Sequence, residues 1–226
     1  MVWLYVLIPF AAAVAGAVLA VLRPPGPRLT SAIQHFTAGV VFAAAAGEIL
    51  PDLKHHGFWP VVLGAVAGVA AMLGVKGLES SARGSLGLLA AVGVDVFIDG
   101  LVLGLGFAAG QREGLLLTAA LTLEILFLGL TVTTELSGQA RSKAAVVALT
   151  AALAVLLPLG ALAAVPVADL PQPVVTGFFA FGLIALLYLV TEELLVEAHE
   201  HADRPWVTAM FFAGFLLMFM LEQAMG

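Results

Sequence analysis

Eight carboxylates lie in stretches that are otherwise almost wholly apolar: Glu48, Asp95, Asp99, Glu124, Glu135, Glu192, Glu193 and Glu222, with His35 near the end of one such stretch. An ionisable side chain at bilayer depth costs at least about 2.5–3.5 kcal/mol on insertion scales, so such residues face a bundle interior and mark ion or substrate paths. Asp95 and Asp99 stand one helical turn apart, hence on one helix face. They straddle the midpoint, near residue 98, of an apolar stretch over 86–110. Glu124 sits beside the midpoint of the next stretch, 114–136. Neither stretch contains a Lys or Arg. Three carboxylates at one depth without a cationic partner cannot all remain ionised, so protons or a bound cation must neutralise them. Carboxylate oxygens at that spacing suit a hard or borderline divalent metal ion.

The remaining acids flank this plane. By helix rise Glu48 lies about 10 Å outward of the centre of its stretch, and Asp52, one turn on, reaches the outer surface. Glu192 and Glu193 lie about 9 Å inward of theirs. Glu135 shares a helix face with Glu124 and Thr131 at the inner end. These positions trace a ladder: Glu48 and Asp52 as an entrance, Asp95, Asp99 and Glu124 as the central site, and Glu192, Glu135, His35, His199 and His201 as an exit path. Glu193 and Glu222 are expected to reach headgroup water. The run 197–203 packs two histidines and three acids into seven residues, and neutral imidazole is a common metal ligand.

The elements that must position these groups follow from composition. Of 226 residues, 62% are hydrophobic, and only nine are basic and fifteen acidic. That balance excludes an ordinary soluble domain, in which about a quarter of residues are charged, and a disordered chain. A net charge of −6 without a basic stripe excludes a nucleic-acid binder. With no cysteine there are no disulfides and no thiolate sites. A membrane helix needs roughly 20 apolar residues, and eight stretches qualify: 2–22, 31–51, 58–78, 86–110, 114–136, 143–166, 174–198 and 205–224. They do not alternate as barrel strands do. The expected fold is therefore all-α, one polytopic transmembrane domain of eight helices. The first stretch has no basic leader region or clear cleavage site, so it is expected to be a retained span.

Basic residues set the orientation. Arg23, Arg28, Lys76, Arg83, Arg141, Lys143 and Arg204 fall on one side; Lys54 and Arg112 fall on the other. This predicts both termini outside the cytoplasm. The second stretch carries its acid at the outer end, in GEILPDL (47–53), and the seventh at the inner end, in VTEELL (190–195). An inverted repeat of three, two and three helices is expected, with substrate at the repeat interface and access alternating as the outer six helices rock against the central pair. Gly93, Gly100, Gly104, Gly106 and Gly110 would let neighbouring helices approach the fourth closely.

Taken together, these segments resemble the ZIP family of divalent-metal transporters across all eight spans. FTAGVVFAAA (36–45) is similar to the family's small-residue signature, and Glu48-Ile49-Leu50-Pro51-Asp52 stands where the family often has HLLPE. DVFIDG (95–100) replaces HNxxDG or HNxPEG, and EILFLG (124–129) replaces HExxEG. LLPLGAL (156–162) resembles EPLGA, and LIALLYLVTEEL (183–194) resembles IALxDLLPE. The departures are specific. The family's fourth-span His and Asn are Asp95 and Val96; its fifth-span His is Glu124, followed by Ile125 and Leu128 at acidic positions; its sixth-span Glu is Leu157. Asp99 retains the acidic position. Enough ligands are lost that a single site of Asp95, Asp99 and Glu124 replaces a two-metal centre.

The resemblance implies secondary transport of divalent cations toward the cytoplasm, with zinc the first candidate and iron, manganese and cadmium behind it. It also implies a homodimer in the bacterial inner (plasma) membrane, surrounded by lipid. The ion is cargo, and no resident cofactor or catalysis is expected. Two other classes remain open on the residues alone: an intramembrane metal-dependent hydrolase, which would need histidines at the depth of the acids, and a proton-coupled carrier of a non-metal solute.

Overall fold

The computed structural model describes residues 2–81, 85–137, 142–199 and 204–225. His201, Glu200, Arg83 and Arg141 lie outside the described residues. The described chain is all-helical, with no strands, and contains eight helices long and apolar enough to cross a membrane. They are α1 (Val2–Leu22), α2 (Pro27–Leu53), α3 (Phe58–Ser81), α4 (Ser85–Ala109), α5 (Gln111–Ser137), α6 (Lys143–Ala168), α7 (Gln172–Ala198) and α8 (Pro205–Met225).

The helix starts obey local chemistry. Pro27 opens α2 behind an extended Gly26 (φ −74°, ψ 158°). Proline fits the first turn because its missing N–H has no intrahelical partner there. This is why α2 begins four residues earlier than its apolar run, which starts at 31. The Ser142 side chain caps α6 by accepting from Ala145 N at 3.2 Å. Pro171 and Pro173 punctuate the start of α7, and Pro205 that of α8.

Three internal irregularities shape the bundle. In α2 the turn Ala45–Ile49 is π-helical, and the Leu50 N–H reaches back five residues to Ala45 O. In α7 the turn Leu189–Leu194 does the same, with Leu195 N–H on Val190 O. A π turn inserts one residue and so rotates the next turns about the helix axis, and such turns gather at functional sites. Each of these two turns carries acids, Glu48 in one and Glu192 and Glu193 in the other. In α6 the helix is interrupted at Val155, three residues before Pro158, whose ring displaces the carbonyl of the preceding turn.

The helices pack in pairs. α1 lies chiefly on α5, α4 on α6, α2 on α8, and α3 on α7. Packing of α4 on α5 and of α1 on α6 joins the first four into one group; α2, α3, α7 and α8 form the other. The fourth and fifth helices are thus not a separate central pair: each is bound most extensively to a helix outside that pair. Glycine decides how close these partners come. A Cβ on Gly100 of α4 would strike Leu157 O of α6, and one on Gly160 of α6 would strike Phe97 O of α4. Gly16 of α1 and Gly129 of α5 are locked reciprocally against Leu126 O and Ala13 O. Backbones in direct contact maximise dispersion, the main attraction available between helices in lipid. Large apolar side chains of α3 and α8, among them Leu63, Leu73, Phe212 and Leu216, point outward, as lipid-facing residues do.

Candidate metal centre

Asp95 and Asp99 share one face of α4, and the chain turns back through Gly110 after about three further turns. α5 then runs antiparallel. Asp99 lies eleven residues before Gly110 and Glu124 fourteen after, roughly 17 and 21 Å by helix rise, so the two arrive at nearly one depth. One ligand atom from each of Asp95, Asp99 and Glu124 lies within 4.8 Å of the others. All three side chains are buried, at 6%, 2% and 2% exposure. Their surroundings are apolar: Ile98, Val102, Leu121, Ile125 and Leu157 belong to the same core.

This cluster is short of hydrogen bonds. Asp99 Oδ2 and both Glu124 oxygens are buried and have no partner among the described residues. Buried polar atoms are nearly always satisfied, and each exception calls for an explanation such as a bound ion. Among the described residues no cationic side chain acts on the three. The charge that does is a further carboxylate, Glu193 of α7, which faces all of them electrostatically. Three acids converging in a buried cluster, with a fourth half-buried at a cavity wall, are a strong attractor for a cation.

Asp95 also touches a cavity of about 530 Å³ that opens at one end of the bundle. Its walls come from the start of α2 (Ser31, Gln34), the first half of α4, the end of α5 (Thr131, Glu135) and the end of α7 (Glu192, Glu193, Glu197). Asp95 therefore links the central cluster to an acidic vestibule, while Asp99 and Glu124 lie behind it. Glu135 and Glu192 are exposed within it. Glu192 is ion-paired with Lys76 of α3 at 3.1 Å, and the Lys76 ammonium stands 5.8 Å from the Tyr188 ring centre. The two adjacent glutamates are divided between tasks: Glu192 turns to α3, and Glu193 faces the acids of α4 and α5. Distance along a regular helix puts Glu193 near headgroup water, and in the structure it is half-buried in the wall of the open vestibule. Both glutamates lie within the π turn Leu189–Leu194, and no side-chain pattern announces such a turn.

His35 is 1% exposed and packs edge-to-face with His199, ring centres 4.9 Å apart. Each donates Nδ1–H to the carbonyl four residues earlier, His35 to Ser31 O at 2.9 Å and His199 to Leu195 O; a carbonyl only accepts, which fixes both tautomers. Ser31 Oγ donates to Ala198 O at 2.8 Å and Gln34 Nε2 to Glu197 Oε2 at 2.7 Å, tying α2 to α7 beside the rings. The structure brings His35 and His199 together at the vestibule end, apart from the three central acids.

Glu48 and Asp52 lie at the opposite end of the bundle. Glu48 is 8% exposed, with Oε1 unpartnered among the described residues, and Asp52 is exposed. Asp52 O accepts from His56 Nδ1–H at 2.6 Å, and His56 Nε2 meets Gln172 Nε2 at 3.1 Å, joining the turn after α2 to the start of α7.

Eight apolar helices around a buried acid cluster define a multi-pass membrane type of bundle. No family model matches the chain, and no curated protein matches it.

Proposed function

We propose that the chain is a secondary transporter of divalent metal cations and that Asp95, Asp99 and Glu124 bind the ion in transit. The observation that carries this reading is the convergence of three buried carboxylates within 4.8 Å, with three of their oxygens unpartnered among the described residues. Among Zn²⁺, Mn²⁺, Fe²⁺ and Cd²⁺, an all-oxygen donor set favours the harder ions, Mn²⁺ above all, over the soft Cd²⁺. The vestibule supplies a route from Asp95 to one end, and its acids, Glu135, Glu192, Glu193 and Glu197, favour cations along it.

The resemblance of the sequence to the ZIP family supports the same reading, as it does a homodimer in the plasma (inner) membrane. Basic residues flank the vestibule end, so the vestibule is read as cytoplasmic and both termini as extracytoplasmic. An inverted repeat accounts for the packing. Exchanging α1, α2 and α3 with α6, α7 and α8, and α4 with α5, turns the α1–α5 pair into α6–α4 and α2–α8 into α7–α3. The same exchange turns the Gly16–Gly129 lock into Gly160–Gly100 and sets one π turn on the other. Alternating access then moves the group of α1, α4, α5 and α6, which holds the three ligands, against α2, α3, α7 and α8.

The test is flux into proteoliposomes loaded with a metal-sensitive dye, for Zn²⁺, Mn²⁺, Fe²⁺ and Cd²⁺ in turn. At least one ion is expected to enter at a rate lost in Asp99→Asn. Equal rates in native and Asp99→Asn protein, or no flux of any of the four, overturn the reading.

A further inference from the structure

At the end of the bundle opposite the vestibule, a guanidinium crosses between the two helix groups. Arg112 opens α5, and its Nη2 donates to the main-chain oxygen of Glu222, near the end of α8, at 3.1 Å. α5 and α8 otherwise touch little. The charges around Glu48 here are Glu222, Arg112, Glu113 and Asp52, so Arg112 is the cation of an acidic mouth. Gly47 gives the Glu222 side chain its place: a Cβ there would come within 2.8 Å of Glu222 Oε2.

Two atoms in this cluster are left over. Arg112 Nε is buried without a hydrogen-bond partner among the described residues, and so is Glu48 Oε1. One is a donor and the other an acceptor, and both are charged groups, for which an unmade bond costs most. The Arg112 guanidinium is thus held at this end by one hydrogen bond among the described residues and has a donor to spare. It also sits on the face across which the two groups must part.

We propose that Arg112 is a latch: its hydrogen bond to the end of α8, within the acidic mouth of Glu48, Asp52, Glu113 and Glu222, holds that end of the bundle shut while the vestibule is open. Release lets α5 separate from α2 and α8 and exposes Glu48. A divalent cation arriving among these acids repels the guanidinium, so the cargo itself favours release. Arg112 is a positioning residue that acts through α8 and touches no transported ion. The inference rests on the transport reading for its purpose, but its structural content is tested without transport.

The chain has no cysteine, so a single introduced thiol reports accessibility. Ala44 is 2% exposed and lies one turn inside Glu48 on α2. Ala44→Cys protein in nanodiscs, where both faces are open, is labelled with a charged maleimide. Adding Arg112→Ala is expected to speed labelling about tenfold, the share of one charge-assisted hydrogen bond. Arg112→Lys, which keeps the charge, should recover part of the protection. A vestibule thiol, Thr131→Cys, should label no faster without the latch, because access to the two ends alternates.

An unchanged rate at position 44 in folded Arg112→Ala protein overturns the latch, and so does equal acceleration at 44 and 131, which would mean general loosening. Should Arg112→Ala not fold, Arg112→Gln serves the same comparison. Because labelling needs no metal, loss of the transport reading leaves this outcome intact, and an unlatched mouth with normal flux removes only the latch.

Discussion

Asp99 of α4 and Glu124 of α5 meet across an interhelical contact with three of their four carboxylate oxygens buried and unpartnered among the described residues. Removing that arrangement from water is costly, and no described protein donor offsets it. The dication proposed for this site would supply what is missing, and the consequences are measurable.

Thermal stability should rise with metal. At a hundredfold excess over its dissociation constant, a ligand that binds only the folded state adds about 2.7 kcal/mol. The melting temperature of native protein is expected to climb with Zn²⁺, Mn²⁺ or Cd²⁺. Asp99→Asn and Glu124→Gln preserve volume and should abolish that increment. A metal-dependent shift that persists in both variants would place the ion elsewhere.

Binding should be linked to pH. Carboxylates must be deprotonated to ligate, so metal affinity rises with pH and binding releases protons. Calorimetry in two buffers of different ionisation enthalpy counts them. At least one proton per ion is expected, with affinity falling as the pH is lowered. A count of zero in native protein contradicts a protonated resting site.

Gly100 is the neighbour of Asp99, and its main chain lies directly against that of Leu157 in α6. Gly100→Ala should cost about 1–3 kcal/mol by overpacking and weaken metal binding by displacing α4. Gly74→Ala on α3 is the control: its Cβ meets nothing, and alanine is the better helix former, by up to about 1 kcal/mol. Melting temperatures of the two variants should move in opposite directions.

Thr133 and Thr150 join α5 to α6 through a hydroxyl–hydroxyl bond of 2.9 Å. Thr150 Oγ1 also donates to Val146 O at 3.2 Å, so Thr133 is the donor between them. A double-mutant cycle with valine at both positions should give a coupling of about 0.6 kcal/mol, the average for such bonds in membranes. A coupling of zero means that the pair contributes packing alone.

The sequence alone was enough to specify an all-helical chain with eight helices fit to cross a membrane. Length and apolarity of a run decide that locally, because a backbone in lipid must satisfy its own hydrogen bonds. The spacing of Asp95 and Asp99 put them on one face, and the short link at Gly110 put Glu124 at their depth; both are consequences of helix geometry within one hairpin. Other features depend on partners distant in sequence, and only the tertiary structure decided them. Glycine-to-carbonyl packing chose α6 for α4 and α1 for α5, since backbone approach depends on complementary gaps in two helices at once. The π turn of α7, which carries Glu192 and Glu193, is a change of register that leaves no trace in hydropathy. Arg112, a basic residue beside an acidic edge, acquired its meaning only when α8 ended beside it.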